Sequence, residues 1–470
     1  MRETWATSGA DLHLELDVTG TRVRRRLEDA LRGAIQAGRL APGTRLPSTR
    51  TLATDLGLAR NTVADAYGQL VAEGWLVAGH GSGTWVAERV IAEPPGPPAG
   101  AGHEAAGPRY SLMPGLPDLT LFPVTAWLAA ARRALSAAPA AALGYGDPRG
   151  QPELRQALAD YLSRARGVRA AADRIVVCAG FTQALALLTQ VLAGRGQGDG
   201  TLAVEEYGHE HHRKVIAAHG LAVRPLAVDE RGARIADLGR AAGALLTSAH
   251  QFPLGVPLAA ERRTAAAAWA AATGGTVIED DYDGEFRYDR QAVGAMQALA
   301  PDSVVYAGTA SKTLAPGLRL AWLVLPRHLA SDVIAARVLA DRQASGPDQL
   351  ALAELITSGG YDRHVRRGRL VYRRRREQLA AALRQHGLAA RMTGVAAGLH
   401  VVVELPPGVS EEEVIAAAAA RGLALSGLGE YAAPGARRAP ALVVGFAAPP
   451  AHSYTMAVAR LCAVLQEAGR

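Results

Sequence analysis

At 470 residues, 49% of them hydrophobic, the chain is long enough for about three domain-sized units and a substantial core. Two cysteines, Cys178 and Cys462, exclude a disulfide framework and suit a reducing compartment. The start MRETWATSGADLHLELD carries no apolar signal segment, no run approaches the roughly 18–20 apolar residues of a membrane span, and a soluble, cytoplasmic protein is expected.

The formal net charge of +7 admits a polyanionic partner. Of the 51 basic residues only Lys214 and Lys312 are lysines; the rest are arginine. Arginine stays protonated, whereas a lysine amine can be tuned for Schiff-base chemistry, so a lysine kept in this background is a candidate for chemistry.

The first predicted helix runs from about Arg24 to Ala37. Ser48, after Pro47, is placed to cap a short helix whose Leu52, Ala53 and Leu56 face inward, and Gly57 ends it. From Arg60 a further helix carries Val63, Ala66, Tyr67, Leu70 and Val71 at helical spacing, leaving Arg60, Asn61, Ala64, Asp65 and Gly68 outward. Trp75 to Val86 reads as two short strands around His80-Gly81-Ser82-Gly83. Two helices joined tightly, with basic and amide groups opening the second, suit a major groove. The module resembles the winged helix-turn-helix of GntR-type regulators over essentially its whole length. That resemblance implies groove and phosphate contacts from Arg50 and Arg60, with Asn61 and Thr62 beside them, and wing-tip contacts from His80 and Gly81.

The clearest break is AERVIAEPPGPPAGAGHEAAGP, Ala87 to Pro108, whose prolines and glycines hold neither a helix nor an inner strand. The expected division is a DNA-binding domain over 1–87, a linker over 88–110 and a body over 111–470. In the body RIVVCAG, TLAVEE, AGALLTSAH, GTVIEDD, SVVYAG and AWLVLP alternate with alanine-rich stretches, which predicts parallel strands with helices on both faces. From about residue 341 an arginine-rich helix leads into a smaller α/β segment. Its run Arg373 to Arg376 reads as a solvated helix face, with contact to DNA as the second reading.

The chemistry centres on VIEDDYDGEFRY, residues 277–288, and YAGTASKTLAPGLRLAWLVLP, residues 306–326. Asp280 ends an aliphatic run, where a carboxylate lies at the edge of an α/β sheet. Tyr282 follows two residues on. Lys312 sits among Thr309, Ser311 and Arg319, a hydroxyl and guanidinium set suited to phosphate. Upstream, Gly180, Phe181 and Thr182 occupy a strand-to-helix turn whose free N–H groups and dipole favour an anion. His209, His211 and His212 have no Cys or carboxylate at ligand spacing, and no metal is expected.

Together these strings resemble the fold type I aminotransferases, and EDDYD–EFRY with GTASKTLAPGLR resembles the MocR branch of the GntR regulators. The resemblance covers nearly the whole chain outside the linker. It implies an α+β winged helix-turn-helix followed by an α/β pyridoxal 5'-phosphate-binding body and, in fold type I style, a homodimer. Lys312 then carries the cofactor covalently, Asp280 faces the pyridine nitrogen and Tyr282 the ring hydroxyl. Thr309, Ser311 and Arg319 hold phosphate with the Gly180–Thr182 turn, and Tyr145 in GYGDPRG reaches a phosphate across the dimer.

Three departures matter. His209 stands where family members carry an aromatic that stacks on the ring. Phe252 in HQFPLG replaces an asparagine. Val443 in ALVVGFA stands where an arginine clamps a substrate carboxylate, and a valine cannot form that bidentate pair. The expected function is an operator-binding regulator that senses pyridoxal phosphate or its adduct, in the manner of the PdxR-like vitamin B6 regulators. A working aminotransferase is the second reading, and a DNA-binding protein with an inactive cofactor fold the third.

Overall fold

The computed structural model describes residues 22–79, 83–88, 108–288, 293–388 and 392–469. Two compact units divide the chain between Ala106 and Gly107.

In the first unit α1 (Val23–Gln36), α2 (Thr49–Leu56) and α3 (Arg60–Ala72) bury one face each. Leu27, Leu31, Leu52, Val63, Tyr67 and Leu70 form the centre of that core. The Ser48 hydroxyl caps α2 by accepting from the Thr51 N–H at 3.1 Å, and Gly57 ends the helix in the left-handed conformation at φ 66°. The Tyr67 hydroxyl donates to the Pro47 carbonyl at 3.1 Å, fixing α3 against the entry to α2. Strands β2 (Leu76–Gly79) and β3 (Gly83–Val86) form the expected hairpin. A third strand, β1 (Arg45–Leu46), was not expected from two residues of pattern; it pairs with β3, Arg45 opposite Trp85.

The second unit is built on a seven-stranded sheet. Its strands are β4 (Ile175–Cys178), β5 (Thr201–Glu205), β6 (Ala222–Leu226), β7 (Gly243–Leu246), β8 (Thr276–Asp280), β9 (Val304–Thr309) and β10 (Ala321–Val324). Their order is β4-β10-β9-β8-β7-β5-β6. The expectation of an all-parallel sheet needs correction at β10, which runs antiparallel to both β9 and β4. The segment 310–320 between β9 and β10 is shorter than the dozen or so residues a parallel crossover needs. Strand β6 escaped the sequence reading because AVRPL contains Arg224 and Pro225; it lies at the sheet edge, where proline is tolerated.

Helices α4 (Val124–Ala137), α5 (Pro152–Arg166), α6 (Phe181–Arg195), α7 (Glu210–Ala218), α8 (Ala260–Thr273), α9 (Arg327–Ala340) and α10 (Gly346–Thr357) accompany this sheet. The long α11 (Gly360–Gln385) leads to a four-stranded sheet. This sheet consists of β11 (Met392–Thr393), β12 (His400–Glu404), β13 (Ser426–Gly427) and β14 (Ala441–Gly445), with α12 (Glu411–Ala420) and α13 (Ala451–Ala468). Leu352, Leu355 and Tyr361 still belong to the core of the large sheet, whereas Tyr372 and Leu379 belong to that of the small one. The change of core therefore falls within α11, later than residue 341. Tyr110–Ser111 pairs with Leu423–Ala424, so the body takes up the chain slightly before residue 111.

Among the described residues no helix is long and apolar enough to cross a membrane. Because Ser48 satisfies one of the orphan N–H groups of α2, Ser48→Ala is expected to cost about 1 kcal/mol in the first unit. Amide hydrogen exchange over 49–56 should quicken about fivefold, with β8 unchanged.

Candidate functional site

The carboxyl ends of β4, β5, β7, β8 and β9 open into one cavity of about 1120 Å³, its solvent mouth included. Phe181, Thr182, His209, Asp280, Tyr282, Thr309, Ser311, Lys312 and Arg319 all line it. Nine residues singled out from separate stretches of sequence are thus brought together by the sheet, at the edge where open α/β sheets bind ligands. Gly180 stands immediately behind Arg319. Tyr145 lies outside the cavity, 84% exposed.

Asp280 is buried at the end of β8, and among the described residues no protein group donates to its carboxylate. Burial pushes its pKa up to about 8, against the pull of the Lys312 ammonium. Burial also lowers the Lys312 pKa, against the pull of Asp280 and Asp283. The Lys312 amine donates to the Gly115 carbonyl. Burial drives His209 down to about 4 and His212 to about 3, and lowers His400 well below its ordinary value. The three imidazoles are therefore neutral at pH 7, and Lys312 and Arg319 are the cationic side chains among the described lining residues.

The anion corner is held rigidly. Gly180 caps α6 at φ 93°, and a Cβ there would sit 2.6 Å from Arg319 Nη2. Arg319 itself is left-handed, φ 53°, and its Nη2 donates to the Ala179 carbonyl at 2.7 Å. The Ala179 N–H donates to Gln183 Oε1 at 2.7 Å, and the fully buried Arg337 donates to the same oxygen at 2.6 Å. Gln183 in turn donates to Asp341 at 2.6 Å. Beyond Asp341, Arg342 is left-handed at φ 67° and lies over the Tyr145 ring at 5.1 Å. Gln343 accepts from the Gly146 N–H at 2.8 Å. On the other strand end, Thr309 Oγ1 donates to Ser311 Oγ at 2.8 Å and accepts from the Ser311 N–H at 3.1 Å.

Several lining residues were not foreseen. Glu205, pushed up to about 7 by burial, accepts from the Thr247 N–H at 3.1 Å. His212 packs edge-on against His209 and Phe181. Behind Tyr282, His250 Nδ1 meets Asp283 at 2.9 Å, and the Tyr282 hydroxyl donates to the His250 carbonyl at 3.1 Å. Glu205 ends β5 and Asp283 lies three residues beyond β8, whereas His212 sits within α7 and His250 four residues beyond β7. His209 lies flat on Phe252, ring centroids 4.2 Å apart. Val443 is fully buried in an apolar cluster with Tyr207, Phe252, Leu254, Leu428 and Tyr431. Arg438 lies over the outer side of that cluster, 5.9 Å from the Tyr207 ring, and does not line the cavity.

In the first unit Arg50, Arg60 and Asn61 are exposed and Thr62 is half-buried at the start of α3. The expected wing-tip residues His80 and Gly81 lie outside the described residues.

Residues 115–439 match the family model for aminotransferase class I and II, and residues 23–86 match that for bacterial regulatory proteins of the gntR family. The probable rhizopine catabolism regulatory protein MocR of Rhizobium meliloti is 33% identical over 429 residues, 86% of each chain. This chain belongs to the MocR branch of the GntR-type transcription regulators. Another relative of this MocR-type regulator, the pyridoxine biosynthesis transcriptional regulator PdxR of Corynebacterium glutamicum, is 32% identical over 90% of this chain and 92% of its own. The kynurenine aminotransferase of Pyrococcus horikoshii shares the fold of the body, with a TM-score of 0.69 at 22% identity over 77% of this chain and 92% of its own.

The cofactor of the aminotransferase-like body is pyridoxal 5'-phosphate, and the cavity of this MocR-type regulator fits it. Asp280 is a buried carboxylate with no protein donor among the described residues, and a protonated ring nitrogen would supply one. The Gly180 turn leaves room beside Arg319 that any side chain would fill. Because the raised Asp280 pKa makes the native state bind the extra proton, its stabilisation is full below about pH 4 and is lost as pH rises towards 8. In the cofactor-free MocR-type regulator, Asp280→Asn should therefore lose less thermal stability than the parent protein between pH 5 and pH 8. The difference is at most about 1.4 kcal/mol per pH unit, read by calorimetry at each pH.

Proposed function

We propose that this regulator senses pyridoxal 5'-phosphate and changes its operator affinity when the cofactor binds. The observation that carries the reading is a pocket equipped for the cofactor, with Val443 buried in the apolar cluster of Tyr207, Phe252 and Tyr431 at the position where a substrate carboxylate would need a cation. When bound, pyridoxal phosphate supplies an aldehyde that a lysine amine can attach covalently. Burial lowers the Lys312 pKa, which favours the free, nucleophilic amine relative to an exposed lysine. Asp280 would hold the ring-nitrogen proton and Tyr282 would donate to the ring oxygen. Thr309, Ser311, Arg319 and the N–H groups of the Gly180–Thr182 turn would hold the phosphate, and His209 would stack on the ring. The relative from Corynebacterium glutamicum is named for pyridoxine biosynthesis; we assign this chain the same kind of target, a vitamin B6 synthesis gene, in the cytoplasm.

Arg50, Arg60, Asn61 and Thr62, with the wing tip, would contact the operator. Arg60→Ala should weaken operator binding by about 1–3 kcal/mol in a mobility-shift assay if it reads a base edge. Lys312→Ala should abolish the borohydride-fixed adduct while leaving cofactor-free operator binding intact. Coupling is reciprocal: a shift of operator affinity by about 1–3 kcal/mol on adding cofactor requires the same shift of cofactor affinity on adding operator. Equal cofactor affinities with and without DNA would refute the sensor, and brisk transamination of a common amino acid would favour the enzyme.

The working unit is proposed to be a homodimer. Val124, Leu128 and Leu135 expose one apolar side of α4, with Leu143 and Leu339 also exposed. Tyr145, held by Arg342, would then reach the phosphate of the partner subunit. Leu128→Asp should shift the molecular mass in sedimentation from dimer towards monomer, and a parent protein that is already monomeric at micromolar concentration refutes the arrangement.

A further inference from the structure

The 26 residues of α11 make a helix about 39 Å long with two opposed faces. Tyr361, Val365, Gly368, Tyr372, Arg375, Leu379 and Leu383 are buried along one side. At 3.6 residues per turn, Arg363, Arg366, Arg367, Leu370, Arg373 and Arg374 fall within about a third of the circumference on the opposite side. All six are exposed. Arg373 is the member of this group with a carboxylate in reach, Glu377 at 3.8 Å. Arg363, Arg366, Arg367 and Arg374 make no ion pair or hydrogen bond among the described residues.

Elsewhere in the same unit Arg133 meets Glu354 at 2.7 Å, Arg164 meets Asp362 at 2.8 Å and the half-buried Arg195 meets Asp332 at 2.7 Å. Exposed arginines without an ion pair among the described residues, such as Arg132, Arg240 and Arg327, lie on separate segments rather than gathered on one face. A solvated helix face is ordinarily laced with opposite charges three and four residues apart, and like charges at those spacings destabilise it. Arg363 stands at such spacings from both Arg366 and Arg367. The sequence-based reading of Arg373 to Arg376 as a merely solvated face also fails at Arg375, which is buried and donates to Asp118 at 2.6 Å.

We infer that the exposed arginine face of α11 is a second, sequence-independent binding surface for duplex DNA, engaging phosphates beside the operator. Guanidinium forks match phosphate oxygens bidentately, and the face from Arg363 to Arg374 rises about 16 Å along the helix. A protein partner would need an apolar or aromatic anchor at its centre; Leu370 alone interrupts the arginines. The first unit, read as the operator-binding part, keeps a duplex tethered to this surface at high effective concentration. The inference rests on that DNA-binding reading and adds to it a phosphate contact outside the head.

The test uses the full chain with Arg363, Arg366, Arg367 and Arg374 all changed to Gln, and fluorescence anisotropy on two duplexes from its own promoter region. One duplex spans only the half-sites; the other carries about 20 further base pairs on each side. On the short duplex parent and variant should agree within twofold. On the long duplex the parent should bind more tightly, and the slope of log affinity against log salt should fall by up to about 3.6 in the variant, near 0.9 for each phosphate contact removed. A single Arg367→Glu change, which leaves the rest of the face in place, should lower that slope by at least about 0.9. Equal slopes on the long duplex for parent and both variants overturn the inference and leave the face to solvent or to an acidic protein. Failure of the head shows up differently, as a parent protein that does not prefer operator to random sequence on the short duplex. The slope comparison on long random duplex then still decides the role of α11.

Discussion

Burying a carboxylate and an amine in one cavity is costly unless each has the other or a ligand for company, and the body of this regulator is organised around that constraint. Asp280 is driven towards its neutral form and Lys312 towards its free amine, each by loss of water and each opposed by its neighbour. Aliphatic strand β8 lets Asp280 be buried at all, since its backbone pairs on both sides with β7 and β9. The turn between β9 and antiparallel β10 brings Lys312 to the same depth. A cationic heterocycle with an aldehyde would satisfy both groups at once, which ties the proposed affinity for it to the electrostatics of the fold.

The anion corner shows a different economy. Arg319 accepts a left-handed backbone and Gly180 gives up its side chain so that guanidinium and helix N-terminus converge. Strained positions persist where surrounding contacts over-determine them. Here Gln183, Arg337 and Asp341 supply those contacts, and the same group of residues ends at Arg342, over the ring of Tyr145. The corner that would grip phosphate and the loop that would face a partner are therefore braced by one connected network anchored on the buried Arg337. That continuity is the physical basis on which a ligand could bias an assembly.

Much of this was legible in the sequence because the motifs are local. Ser48 and Gly57 bound α2, the apolar stripe sets α3, and the aliphatic runs give most of the sheet. What stayed hidden depends on distant residues. Strand β6 has no apolar pattern because an edge strand tolerates Arg224 and Pro225. The reversal of β10 follows from a connection too short to cross over, which run composition does not report. Glu205 at the end of β5 and His212 in α7 line the cavity, with the His250–Asp283 pair behind Tyr282, and neither spacing nor residue type marks them in advance. His209 illustrates the same limit, since its parallel neighbour in the structure is Phe252, 43 residues further along the chain.

The scarcity of lysine has a practical side. Lys214 is 68% exposed at the surface of α7, 3.0 Å from Glu210, whereas Lys312 is enclosed. An acylating reagent therefore meets just two side-chain amines in the whole chain, one always open and one guarded. The ratio of modification at the two positions is an internal gauge: the first amine measures reagent and time, the second measures pocket occupancy. Arginine everywhere else makes the remaining surface blind to lysine-directed acetylation, so a modification that would tune the charge of most DNA-binding proteins has almost nowhere to act on this one.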